Sequence, residues 1–235
     1  RRYTSMRVED YQRTYSWTND DIDDFFADLI AASDSSVRSH FFGTLIFQED
    51  SDNPSRVTIV DGQQRVTTVF ITIAAIRDAV SVLSEETIPA KSYGMAPERP
   101  AEEATKLIVS GVDINFYRYE ANRFIKPIMD ASVFMPPDSQ QKLKTNHKPV
   151  TLAFRHAVKR IRATIADELP SGSDLDKLTF LNHLLATLTN KFRVLTIETE
   201  SLSESLDIFL TLNDRGQELG PSDIVKGKLM SSLGR

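Results

Sequence analysis

Apolar and polar positions alternate with two different periods along this chain, and the changes of period mark its elements. In NDDIDDFFADLIAA (19–32), Ile22, Phe25, Phe26, Leu29 and Ile30 fall on one helical stripe, which predicts an amphipathic helix. Asn19 is the expected cap, and Asp20, Asp21, Asp23 and Asp24 crowd the first turns, where the helix dipole favours anions. HFFGTLIFQ (40–48) and RVTIV (56–60) are β-rich runs on either side of the polar turn EDSDNPS, and predict two strands. From Val66 to about Leu83, apolar residues recur at 66, 69, 70, 73, 76, 80 and 83, the spacing of a helix.

The Pro-rich stretch 84–105 predicts a mobile loop, KLIV (106–109) a short strand, and NRFIKPIMD (122–130) a helix with Pro127 inside it. TLAFRHAVKRIRATIADEL (151–169) and DLDKLTFLNHLLATLTN (174–190) predict two further helices, and FRVLTIETE (192–200) a strand. A helix over 203–212, a turn at NDRGQELG (213–220) and a helix opened by Pro221 close the pattern. No internal repeat is present. The fold class expected is α+β, a small sheet packed with many helices, in a single domain over 1–235.

Composition narrows the chemistry. The chain has 235 residues, 40% apolar and 26% charged, enough for a sizeable core. Its net charge of −5 supplies no general attraction to nucleic acid, so such binding needs a local basic patch. The absence of cysteine excludes disulfides, thiolate zinc sites and cysteine nucleophiles, and suits a reducing, cytoplasmic setting. His40, His147, His156 and His183 lack ligand spacing, so no zinc site is expected. No signal peptide is present, and no apolar run approaches the roughly 18 residues of a membrane span. The abrupt opening and the helical close lead to the expectation of a longer natural protein.

Four stretches carry candidate chemistry. IVDGQQRVTT (59–68) delivers an acid, a glycine, two glutamines and an arginine between a strand and a helix. Gly62 allows close backbone approach, the first N–H groups of the helix are free for an anion, and Arg65 can grip a phosphate. Thr67 or Thr68 can add a hydroxyl, and Asp61 can hold a divalent cation or orient water. The plainer alternative is an Asp-Gly turn with solvated glutamines. DYQRTYSW (10–17) offers Tyr11, Tyr15 and Trp17 as stacking faces, and Gln12 and Arg13 for base edges or phosphates; alternatively Tyr15 and Trp17 pack in the core. LNDRGQELGPSDIVKGKL (212–229) sets Asn213 and Gly216 in a turn and Asp223 one helical turn from Lys226. KLKTNHKPVTLAFRHAVKRIR (142–162) holds seven Lys or Arg and no acid, with Arg155, Lys159 and Arg162 on one face. That face is either a backbone contact for nucleic acid or a solvated surface.

YQRTYSW (11–17), FFGTLI (41–46), IVDGQQRVTTV (59–69) and FLTLNDRGQELGPSDIVKGKL (209–229), in this order, resemble the DUF262 domain. That family forms the N-terminal domain of modification-dependent restriction and phage-defence proteins. The resemblance implies a core similar to the ParB and sulfiredoxin superfamily, with residues 1–83 and 192–235 building a nucleotide site and 84–191 a variable, mostly helical insertion. It implies hydrolysis of a nucleoside triphosphate, with Mg²⁺, by Asp61, Gln63, Gln64 and Arg65. Gly62, Arg65, Thr67, Thr68, Asn213, Arg215, Gly216, Asp223 and Lys226 would bind the nucleotide. Tyr11, Gln12, Arg13, Tyr15, Arg155, Lys159 and Arg162 are the candidates for DNA, modified DNA in particular. A downstream HNH-type nuclease domain is the implied partner, and homo-oligomerisation is left open. Two other functions stand beside the sensor: a reader that grips DNA phosphate without catalysis, and a ParB-like nuclease, which would want two or more convergent carboxylates.

Overall fold

In a computed structural model, the described residues are 5–10, 12–87, 119–120, 129 and 148–213, with main chain alone at 84–87, 119–120, 148 and 213. The expected strand at 106–109, most of the helix at 122–130, the loop from 88 to 105 and everything after 213 lie outside them. The elements, in chain order, are β1 (Ser5–Arg7), α1 (Asn19–Ser33), β2 (His40–Glu49), β3 (Arg56–Asp61), α2 (Gln63–Thr87) and β4 (Tyr119–Glu120). They continue with α3 (Lys148–Glu168), α4 (Asp174–Asn190), β5 (Phe192–Thr199) and α5 (Leu202–Asn213).

The five strands form one mixed sheet in the order β4-β1-β3-β2-β5. β2 and β3 are the antiparallel pair, while β1 runs parallel to β3 and β4, and β5 parallel to β2. Central β3 buries Val57, Thr58 and Ile59 in succession, so both of its faces are covered. The β2–β3 turn is organised by Asp50, whose carboxylate accepts from Asp52 N, Asn53 N and Arg56 Nε. α5 lies against β2, β3 and β5, while α1 and α2 each pack on α3 and α4. One apolar core joins these parts, from Phe26 and Leu29 of α1 through Ile71 and Ile76 of α2 to Ala157, Ile161 and Leu181 of α3 and α4. The fold is α+β, as the pattern of periods predicts.

Three expectations are corrected. The cap of α1 is Thr18, not Asn19: its hydroxyl accepts from Asp21 N while the Asp21 carboxylate accepts from Thr18 N, a closed capping box. A second box, Ser173 with Asp176, opens α4. α2 begins at Gln63, three residues before the periodic apolar pattern, because the turn at Gly62 starts the helix and its first turn needs no apolar residue. α2 is also long and apolar enough to cross a membrane over Gln63–Leu83, contrary to the expectation of no such run. Threonines, alanines and scattered charges hid it, and 67% of the stretch is buried inside the protein, as befits a core helix.

Candidate functional site

β3 ends at Asp61 and α2 starts at Gln63, so a single residue turns the chain. Gly62 makes that turn at φ +92, with its Cα packed so closely against Leu45 that an added Cβ would collide with the Leu45 side chain. Only glycine meets both demands. Gly62 O accepts the first helical bond, from Val66 N at 3.1 Å. The N–H groups of Gln63, Gln64 and Arg65 have no hydrogen-bond partner among the described residues. Unlike α1 and α4, α2 therefore opens without a side-chain cap among the described residues, with three donors and the positive end of its dipole at the junction.

Two cations and one acid frame that opening. Arg65 reaches back over β2, its Nη1 donating to Thr44 O at 3.1 Å. Asp61 is half-buried, and burial pushes its carboxyl above the ordinary carboxylate range, against the opposing pull of Arg65, the Gly62 N–H and Arg13. The exposed Arg13 is thus near enough for its charge to act on Asp61, although it lies far from Asp61 in sequence. A half-buried carboxylate that feels two guanidinium charges, at a helix start without a side-chain cap, is an arrangement suited to oxyanions.

The structure also joins two motifs that the sequence lists separately. Gln64 is buried, and both ends of its amide are bound: Oε1 accepts from Ser16 N at 2.8 Å and Nε2 donates to Thr14 O at 3.2 Å. Gln63 Nε2 donates to Arg13 O at 2.9 Å. Gln12 Nε2 donates to the carbonyls of Ile59 and Val60 on β3. Residues 12–16 are thus laced, bond by bond, to the end of β3 and the start of α2. Sequence reasoning gave Gln63 and Gln64 catalytic work, and the structure shows the Gln64 amide engaged with backbone rather than free to orient water.

Tyr15, Thr67 and Thr68 take different places from those expected of ligand contacts, while Trp17 takes the core place weighed for it. Tyr15 is 2% exposed and its hydroxyl bonds Thr68 Oγ1 at 2.8 Å, so its ring is a core group and not an open stacking face. Burial lifts its phenol to about 12. Thr67 and Thr68 are buried with their hydroxyls donating to Gln63 O and Gln64 O, which turns them away from a phosphate at the helix start. Trp17 packs on Phe25, ring centroids 6.5 Å apart. Arg155, Lys159 and Arg162 stand exposed on α3, away in sequence and element from the β3–α2 junction. Tyr11, Arg215, Gly216, Asp223 and Lys226 lie outside the described residues, as does the side chain of Asn213, the last residue of α5. Among the described residues no three His, Asp or Glu side chains converge as a metal cluster.

Sequence reasoning gave Gly43 and Thr44 no role, yet Gly43 lies directly beneath the Arg65 guanidinium. The available signal was a glycine inside a strand pattern, which marks a bulge or a close approach.

The family model described as GmrSD restriction endonuclease, N-terminal domain, matches residues 1–230. The chain belongs to this family. As a GmrSD N-terminal domain it is part of a restriction system, and its DUF262 resemblance is confirmed over nearly its whole length. No curated protein matches the chain.

Proposed function

We propose that the β3–α2 junction of this GmrSD N-terminal domain binds the phosphates of a nucleoside triphosphate. The domain then hydrolyses it as the sensor of a DNA restriction or phage-defence protein. One observation carries the proposal: three N–H groups at the start of α2, without a partner among the described residues, stand with Arg65 at the end of β3, where a half-buried Asp61 feels the charges of Arg65 and Arg13. The backbone donors and the two arginines bind phosphate oxygens. Asp61 would repel a phosphate on its own, so its place there suits general-base work on water or a bridging cation. Mg²⁺ is usually held by one or two carboxylates and the substrate's phosphates, and Asp61 fits that part. Asn213, Arg215, Gly216, Asp223 and Lys226 complete the nucleotide site in this proposal.

Sensing follows from the lacing of residues 12–16 to α2. Tyr11, Gln12 and Arg13 would meet modified DNA, and Gln63 and Gln64 would carry a shift of that segment to the nucleotide's phosphates. Arg155, Lys159 and Arg162 would meet the DNA backbone, and a C-terminal HNH-type nuclease would receive the output. The test is phosphate release from GTP, ATP, CTP and UTP with Mg²⁺, with and without DNA, by wild type and Arg65→Ala. Turnover that requires Arg65 and responds to DNA is expected. DNA binding without nucleotide binding would replace the sensor by a reader, and nicking of plasmid by the domain alone would replace it by a nuclease.

A further inference from the structure

β2 breaks its register with β5 between Phe41 and Gly43, and at that break Gly43 adopts φ +113. L side chains rarely take such a conformation. The space its missing Cβ would fill is taken by Arg65: an atom there would lie 3.1 Å from Nε and 3.2 Å from Cζ. The next carbonyl, Thr44 O, accepts from Arg65 Nη1 at 3.1 Å and also closes on Gly62, 3.3 Å from where its Cβ would be. The guanidinium therefore lies against main chain, close to the bare Cα of Gly43 and bonded to the Thr44 carbonyl. A guanidinium is a planar fork of five donors. Fixing its plane and one N–H leaves the other donors aimed together, which a flexible arginine would achieve only by losing rotamer entropy on binding.

We propose that Gly43 is a positioning residue for Arg65, and that the FFGTLI stretch is a backbone seat that presets the guanidinium for a phosphoryl group. The choice of ligand rests on the proposed triphosphate site; the seat itself does not. Pre-set geometry explains why a strand in the middle of the sheet carries a glycine and a register break, features that weaken a strand and gain nothing for the core.

The experiment is a double-substitution cycle on the full chain: Gly43→Ala, Arg65→Ala and the pair, each titrated with the four Mg²⁺–triphosphates and melted in parallel. Affinity is expected to fall about tenfold on Gly43→Ala with Arg65 present, and less than about twofold in the Arg65→Ala background, the coupling that contacting residues show. The melting temperature should fall in both backgrounds, because the backbone strain does not depend on Arg65. Equal affinity losses in both backgrounds would overturn the proposal. Arg65→Lys does not depend on Gly43→Ala folding: it keeps the charge and lacks the planar fork, so affinity should again drop about tenfold. Wild-type affinity in Arg65→Lys would overturn the seat as a fork-setting device. Without nucleotide, the Arg65 Nε–Hε NMR resonance should move on Gly43→Ala. If it moves while wild type binds no triphosphate, the seat stands and the triphosphate site falls; an unmoved resonance overturns the seat.

Discussion

Asp61 is held in a state that folding alone would not choose. Its carboxyl is raised by burial, so the native chain binds that proton more tightly than the unfolded chain does. The contribution of this group to stability is therefore greatest below the ordinary carboxylate range and is lost as pH rises through its folded value. Once ionised, Asp61 is a net cost to the fold. Asp61→Asn should accordingly melt no lower than wild type at pH 7, while triphosphate turnover falls by roughly 10² or more, the usual reach of a general base. Thermal melts and phosphate-release assays on one preparation check both halves; a lower melting temperature would show that the pairs with Arg65 and Arg13 outweigh desolvation. Tyr15 titrates at the other end of the scale. Its phenol, at about 12 in the fold against 10.0 for the free group, keeps its proton where the unfolded chain has lost it. Stability should then decline as pH rises from 10 to 12, by roughly 2 to 3 kcal/mol for this group. Denaturant melts of Tyr15→Phe should lack that share of the alkaline loss.

Among the elements, α2 differs from its neighbours in how it begins. α1 and α4 satisfy first-turn donors with capping boxes, whereas three donors of α2 have no partner among the described residues, and its first side chains tie down residues 12–16. Gln64→Ala removes the partners of Ser16 N and Thr14 O together, and should cost roughly 2 to 3 kcal/mol in denaturant unfolding. Gln63→Ala, whose single bond to Arg13 O is exposed, should cost about 1 kcal/mol or less. Hydrogen exchange gives the sharper check, since the Ser16 amide should lose protection in Gln64→Ala and keep it in Gln63→Ala. Helices α1, α3 and α4 were legible because each buries a stripe of helical period, whereas the short strands β1 and β4 were not predicted, three and two residues being too few to show a period. The start of α2 was not, because Gln-Gln-Arg carries no apolar residue and its helicity shows only once the turn at Gly62 is seen.

For the whole molecule, a net charge of −5 leaves any duplex dependent on local cations. On α3, Arg160 is engaged with Asp23, which also meets His156, while Arg155, Lys159 and Arg162 project outward. Replacing Arg155 by Ala should weaken binding of modified and plain duplexes equally and lower the slope of log affinity against log salt by about one. A changed ratio between the two duplexes, measured at two salt concentrations, would show that this face reads DNA instead of only holding it.

The sequence by itself determined the α+β class, the strand–glycine–helix order at 59–68 and the family, since periodicity, turn chemistry and motif order are local properties of the chain. It could also name Asp61, Gly62 and Arg65 together, because they are neighbours. Only the tertiary structure decided which distant groups share their space. Arg13 comes to Asp61, Gln64 to the backbone at 14–16, Tyr15 to the core and Gly43 to the underside of Arg65. Those placements depend on strand register and on how closely β2 approaches the α2 start. A sequence pattern does not encode such distances, which are set when the packed layers close on one another.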